Sequence, residues 1–125
     1  MDITPLIPSD RKLIQRYGDG HFRITNEQFD GNVIVFPHKV VPWSVDSAGA
    51  MTAESLQAVI EEAAAVDILL VGCGRSMAPI PPAVRRQLKD VAGVSMDPMD
   101  TGAACRTYNI LLSEERKVAA ALIAV

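Results

Sequence analysis

The chain has little of the side-chain chemistry on which small enzymes and metalloproteins are usually built. Of its 125 residues, two are cysteine (Cys73 and Cys105) and two are histidine (His21 and His38). Two cysteines in apolar or glycine-rich surroundings argue against a disulfide-stapled secreted module and for a cytoplasmic protein with reduced thiols. The histidines fall in no HxxxH spacing, the cysteines in no CxxC, and no second ligand pair accompanies His21 or His38, so no metal site is expected. No GxGxxG and no Gly-Lys-Ser/Thr is present, which leaves dinucleotide and P-loop chemistry unsupported and points to no cofactor. The longest apolar run, Val118–Val125, is far below the ~20 residues that cross a bilayer, so no membrane span is expected. Met1–Pro8 carries neither a basic nor a long apolar region, and no secretory signal is expected. An excess of basic charge is missing too. The formal net charge is −3, which gives no reason to expect nucleic acid as a partner.

What is present reads as one folded α/β domain over residues 1–125. Apolar residues make up 49% and charged residues 22%, a globular composition rather than a disordered one. Residues 1–10 hold two prolines and little periodicity, and predict a tail or leading loop. Leu13–Tyr17 and His21–Thr25 are β-prone runs either side of Gly18-Asp19-Gly20, which predicts a hairpin. Val33–Phe36 is an unbroken apolar run, expected to be a strand covered on both faces. Lys39–Trp43 contains Pro42 and reads as an edge strand or loop, with Trp43 as a packing residue.

Further on, the pattern alternates between helix and strand. Thr52 is a good N-cap, and Leu56, Val59, Ile60, Ala63 and Ala64 then form one apolar stripe, predicting a continuous helix. Ile68–Val71 predicts a central buried strand that ends at Gly72. After a Gly72–Ala78 loop and three prolines, Val84, Leu88 and Val91 predict the apolar face of a second helix, capped by Gly93. Val94–Met96 is a short strand. A third helix is expected from Thr101 to Glu114, capped by Asp100 or Thr101. The alanine-rich end, Val118–Val125, reads as a final buried strand, because that completes the alternation of an α/β sheet.

In open α/β sheets, ligands bind beyond the carboxyl ends of the strands. Two loops leave such ends here, Gly72–Ala78 and Asp97–Gly102, and each precedes a helix whose N-terminal N–H groups could face an anion. The candidate binding residues are therefore Gly72, Gly74, Arg75, Thr101 and Gly102. On the third helix, Gly102, Cys105, Arg106 and Asn109 lie three and four apart and extend the candidate site as a partly polar stripe. Ala104, Tyr108 and Leu111 form the apolar stripe beside it. Cys105 near a helix start and next to arginine is a candidate reactive thiol, although a buried cysteine is also an ordinary small apolar residue. Cys73 and Cys105 could share one sheet edge, where a disulfide would be within reach. No Ser-His-Asp or Cys-His arrangement and no diagnostic carboxylate pair is evident, so no catalytic residue is assigned.

Four segments carry a resemblance: Leu70-Val71-Gly72-x-Gly74, Met99-Asp100-Thr101-Gly102-Ala103-Ala104-Cys105-Arg106-Thr107-Tyr108-Asn109, Arg116-x-Val118-Ala119-Ala120-Ala121-Leu122, and the earlier Pro42-Trp43. From about Gly18 onward the chain resembles a small bacterial and archaeal family of unknown function, whose mitochondrial relatives are assembly factors for respiratory complex I. The resemblance implies a compact three-layer α/β domain. A central mixed sheet would carry packed helices, and the N-terminal hairpin would form an extra layer. It also implies no established enzymatic activity. Members usually carry glycine where Glu115 stands, which argues against a left-handed cap there. The commoner Gly-Thr-Gly in place of Gly72-Cys73-Gly74 implies that Cys73 is not a required catalytic group.

The expected function is thus a soluble, non-enzymatic interaction or assembly factor. Its expected partners are proteins, with respiratory-complex subunits as the specific candidates. The alternative is a small-molecule or anion-binding, enzyme-like domain with its site at Gly72–Arg75 and Thr101–Asn109.

Overall fold

A computed structural model describes residues 10–125, so all but the last residue of the expected leading tail lies outside the described part. Strands β1 (Ile14–Gly18), β2 (His21–Ile24) and β3 (Glu27–Asp30) form an antiparallel meander. The expected hairpin is present and gains a third strand. β3 is mostly exposed, with only Phe29 half-buried, so it lacks the apolar alternation that would reveal it. It is set by the turn before it, where Thr25 and Asn26 both take positive φ (46° and 66°). That is the signature of a two-residue hairpin turn matched to strand twist.

The larger sheet orders its five strands β5-β4-β8-β6-β7, with β4 at Val33–Val35, β5 at Val40–Pro42, β6 at Ile68–Gly72, β7 at Ser95–Met99 and β8 at Val118–Leu122. β4 runs antiparallel to β5 and β8, whereas β6 runs parallel to β8 and β7. Pro42 lies on the edge strand β5, where a missing N–H costs no ladder bond. All five residues of β8 are buried. Alanine favours helix in isolation, but the chain here sits between β4 and β6, and tertiary context overrides propensity. Small side chains let covering layers approach both faces closely.

Those layers produce two apolar cores. On one face Phe36, Trp43, Leu56, Val59, Leu69, Val71 and Leu88 pack together beneath helices α1 (Gln57–Glu61) and α2 (Pro82–Ala92). On the other, Phe22 and Ile24 of the small sheet join Val33, Val35, Leu70, Tyr108 and Leu122 around helix α3 (Thr101–Ser113). Successive residues of β6 alternate between the cores, as a strand buried on both faces requires.

Two helix expectations need correction. The predicted helix after Thr52 is broken into 3-10 turns at Glu54–Leu56 and Ala63–Ala65, with only five α-helical residues between them. Thr52 Oγ1 does accept the Ser55 N–H at 3.0 Å. However, Ser55 Oγ also accepts the Thr52 N–H and donates to Thr52 O, and this reciprocal box tightens the first turn. At the far end, Glu62 is drawn out to Lys39 at 2.8 Å and His38 at 3.6 Å. In α2, Val84 and Leu88 are buried but Val91 is 64% exposed, so the apolar face is used only over the first turns. Gly93 caps this helix at φ 68° as expected.

The end of α3 overturns another expectation. Glu115 adopts φ 59°, while its N–H donates to Leu112 O and the Arg116 N–H donates to Leu111 O, each at 3.0 Å. This pairing is a Schellman cap formed without glycine. A left-handed L-residue costs ~1–2 kcal/mol, partly offset by glycine's greater chain entropy. Glu115→Gly is therefore expected to stabilise the domain by about 0.5–1 kcal/mol, read as a higher urea midpoint at unchanged slope. A lower midpoint would show that the left-handed residue is not a source of strain.

Candidate functional site

The two strand-end loops do meet, and a threonine fills the place where they meet. Thr101 is fully buried. Its hydroxyl donates to Ile123 O at 2.7 Å and accepts the Gly74 N–H at 2.9 Å. The backbone repeats the connection: Thr101 N donates to Gly74 O, Cys73 N to Met99 O, and Ile123 N to Gly72 O, all at 2.8–2.9 Å. Gly72 is required by this closeness, because a Cβ there would lie 2.9 Å from Leu122 Cδ2 and 3.0 Å from Thr101 Cα.

The donors that an anion would use are largely engaged. At the start of α3, Thr101 N is held by Gly74. Asp100 caps the helix by accepting the Ala103 N–H at 2.9 Å on Oδ1 and the Ala104 N–H on its carbonyl. Gly102 is buried beneath Tyr17, whose hydroxyl would lie 2.5 Å from an added Cβ. Arg75 is exposed on the loop after β6, apart from the buried junction.

The polar stripe of α3 faces the small sheet. Asn109 Oδ1 accepts the Ile14 N–H at 3.0 Å, and its Nδ2 donates to Ile14 O at 2.7 Å. The side-chain amide thus pairs with β1 as a neighbouring strand would, just where β1 breaks register between Ile14 and Arg16. One residue earlier, the Tyr108 hydroxyl donates to Lys12 O at 2.9 Å. Arg106 Nη1 donates to the Tyr17 hydroxyl at 3.1 Å. Sequence reasoning placed Tyr108 in an apolar stripe and gave Ile14 and Tyr17 no role at the site. A tyrosine in a core-facing stripe was the available signal, since a buried phenol needs an acceptor.

An open groove of about 370 Å³ remains between β1 and α3, lined by Gln15, Arg16, Tyr17, Cys105, Arg106 and Asn109 among others. It brings together Cys105, Arg106 and Asn109, three of the expected residues, while Gly72, Gly74 and Thr101 belong to the buried junction and Arg75 to the loop. Arg16 and Arg106 reach no carboxylate within ion-pair distance among the described residues.

Cys105 is 2% exposed, and burial pushes its thiol up to about 12, against the lowering effect of the Arg106 charge. Burial likewise raises the Tyr108 phenol. Cys73 and Cys105 are both free and pack on opposite faces of the large sheet, so the shared edge suggested by the sequence does not occur. Among the described residues, no side chain that could act as a base hydrogen-bonds to either thiol. The arrangement offers contacts instead, an arginine-rich groove beside a strand edge.

A family profile described as "Protein of unknown function (DUF498/DUF598)" matches residues 14–123. An uncharacterised protein of Rhodobacter capsulatus is 37% identical over 111 residues, covering 88% of this chain and 82% of its own. NADH dehydrogenase (ubiquinone) 1 alpha subcomplex assembly factor 3 of Xenopus tropicalis is 33% identical over 111 residues. That match covers 89% of this chain, which spans only 60% of the frog protein's length. Among solved structures, a Bartonella henselae protein described as an outer membrane protein superposes with a TM-score of 0.85 at 36% identity, covering 96% of this chain and 99% of its own. In the present chain, no helix among the described residues is long and apolar enough to cross a membrane.

The buried thiol makes a signed prediction. A cysteine thiol ordinarily ionises near 9.0, as Cys105 does when unfolded, whereas burial in the folded protein pushes it up to about 12. Above about pH 9 the unfolded state therefore binds fewer protons, and stability falls as pH rises toward about 12. Cys105→Ala should flatten that alkaline loss in urea titrations, leaving the share due to Tyr108. An alkaline slope unchanged by the substitution would show that the thiol is not held protonated by the fold.

Proposed function

This chain belongs to the DUF498/DUF598 family of proteins of unknown function, and from that premise we propose that it is a soluble, cytoplasmic, non-enzymatic assembly factor that binds a protein partner. Subunits of a respiratory NADH dehydrogenase are the first partners to examine, because relatives at 30–33% identity are named as assembly factors of that enzyme. The observation that carries the reading is how the reactive-looking residues are used. Thr101, Asn109 and Tyr108 spend their polar groups on holding elements together, and Cys105 is sealed in the core.

What stays available is the groove between β1 and α3. Arg16 and Arg106 are exposed there beside Tyr17, and arginine and tyrosine are residue types that dominate binding energy at protein interfaces. Arg16 also sits directly opposite Arg23 across the β1–β2 ladder. Like charges so placed are destabilising, and acidic groups on a partner would relieve the repulsion. The partner surface that fits is therefore acidic, and electrostatic steering would make association sensitive to salt.

A tagged chain expressed in its own cells is expected to capture a defined partner, and deleting its gene is expected to reduce assembled NADH dehydrogenase. Arg16→Glu/Arg106→Glu alters exposed positions, so it should remain folded by circular dichroism while partner affinity drops at least about tenfold, the scale of one lost charge-assisted bond. Intact NADH dehydrogenase in the deletion strain, with no partner retained above an untagged control, would contradict the reading.

A further inference from the structure

A second depression, of about 300 Å³, lies at the end of the large sheet opposite the Thr101 junction. It is formed where β6 and β8 begin, beside the capped end of α3. Its floor is apolar, from Ala65 and Leu112, and its walls carry Arg11, His38, Arg116 and Lys117 with one acidic residue, Glu115.

The backbone under these cations is rigid. Arg116 N is bound to Leu111 O and Arg116 O to Val118 N, each at 3.0 Å, while Lys117 O accepts from both Asp67 N and Ile68 N. His38 is held at the rim by Glu62 at 3.6 Å, and Glu62 is itself fixed by Lys39. Arg116 and Lys117 have no ion-pair partner among the described residues, and Arg11 has only exposed Asp10 at 3.3 Å. Three permanent cations and a histidine thus line the depression with one carboxylate, Glu115, while Asp10 and Glu62 reach Arg11 and His38 from outside its lining. Pocket volume, apolar base and convergent charge together are the features of a small-ligand site.

We propose that this depression binds a small organic oxyanion, a carboxylate or a phosphate carried on a short apolar body. Arg116 and Lys117 hold the charged head, since arginine forks match carboxylate and phosphate oxygens. Leu112 and Ala65 receive the apolar part. Glu115 opposes the ligand and weakens its binding. The site shares no residue with the β1–α3 groove, so it stands or falls independently of the assembly role.

The test is amide chemical-shift titration of the intact, isotope-labelled chain with inorganic phosphate and, separately, butyrate, with chloride at matched ionic strength as reference. Saturable shifts at His38, Arg116 and Lys117 are expected with at least one of the two anions, and whichever binds more tightly identifies the head group. Arg116→Gln/Lys117→Gln should weaken binding by about tenfold or more. Ala64→Glu, at an exposed lining position, should abolish it, and Glu115→Gln should tighten it. Arg86→Gln/Lys89→Gln, on the far helix α2, should leave it unchanged. Non-saturating shifts reproduced by chloride would overturn the proposal, as would an equal loss in the α2 variant.

Discussion

Three chain segments separated by more than twenty residues meet at one hydroxyl. Thr101 Oγ1 accepts from Gly74 after β6 and donates to Ile123 after β8, while Thr101 itself begins α3. Thr101 is fully buried and its two partners are half-buried, and a buried hydroxyl left without its hydrogen bonds costs ~1–3 kcal/mol. A side chain with a donor and an acceptor on one atom, and small enough for the gap, answers that demand, and Gly72 provides the gap. The direction of α3 across the sheet follows from this point, because its first turn is fixed to two strand ends at once.

The same helix carries the second fastening. Asn109 and Tyr108 bind the backbone of Ile14 and Lys12, and Gly102 gives Tyr17 a seat, so the small sheet is docked through α3 as well as through Phe22 and Ile24. Hydrophobic contact is non-directional, whereas a side-chain amide paired to both groups of one residue sets register. α3 therefore acts as a two-ended clamp, one end on the large sheet and the other on the small one. The groups the clamp does not use include the exposed Arg16 and the exposed Arg106, whose guanidinium reaches only the Tyr17 hydroxyl.

Much of this was legible in the residues. The runs at Val33–Phe36, Ile68–Val71 and Val118–Val125 contain the strands Val33–Val35, Ile68–Gly72 and Val118–Leu122, and Asp100 became the cap of a helix that starts at Thr101. Such features depend on local periodicity and capping, which a sequence displays directly. What escaped depends on distant partners. The Asn109 stripe read as a possible ligand site because nothing local says that residue 14 will occupy it. β3 was hidden because its register comes from a turn and not from apolar alternation, and the Ser55–Thr52 box broke a helix whose stripe looked continuous. Glu115 shows that a carbonyl-satisfying cap can hold a residue in a conformation its type disfavours.

The central claim, that Thr101 is a fastening rather than part of an open ligand site, is most directly tested by amide hydrogen exchange at Gly74. This residue lies in a loop, where amides ordinarily exchange through local opening. The account predicts that Gly74 is protected nearly as strongly as the amides of β6, and that Thr101→Val abolishes that protection while also lowering global stability. Gly74 exchanging as rapidly as neighbouring loop residues, with no change on Thr101→Val, would contradict it.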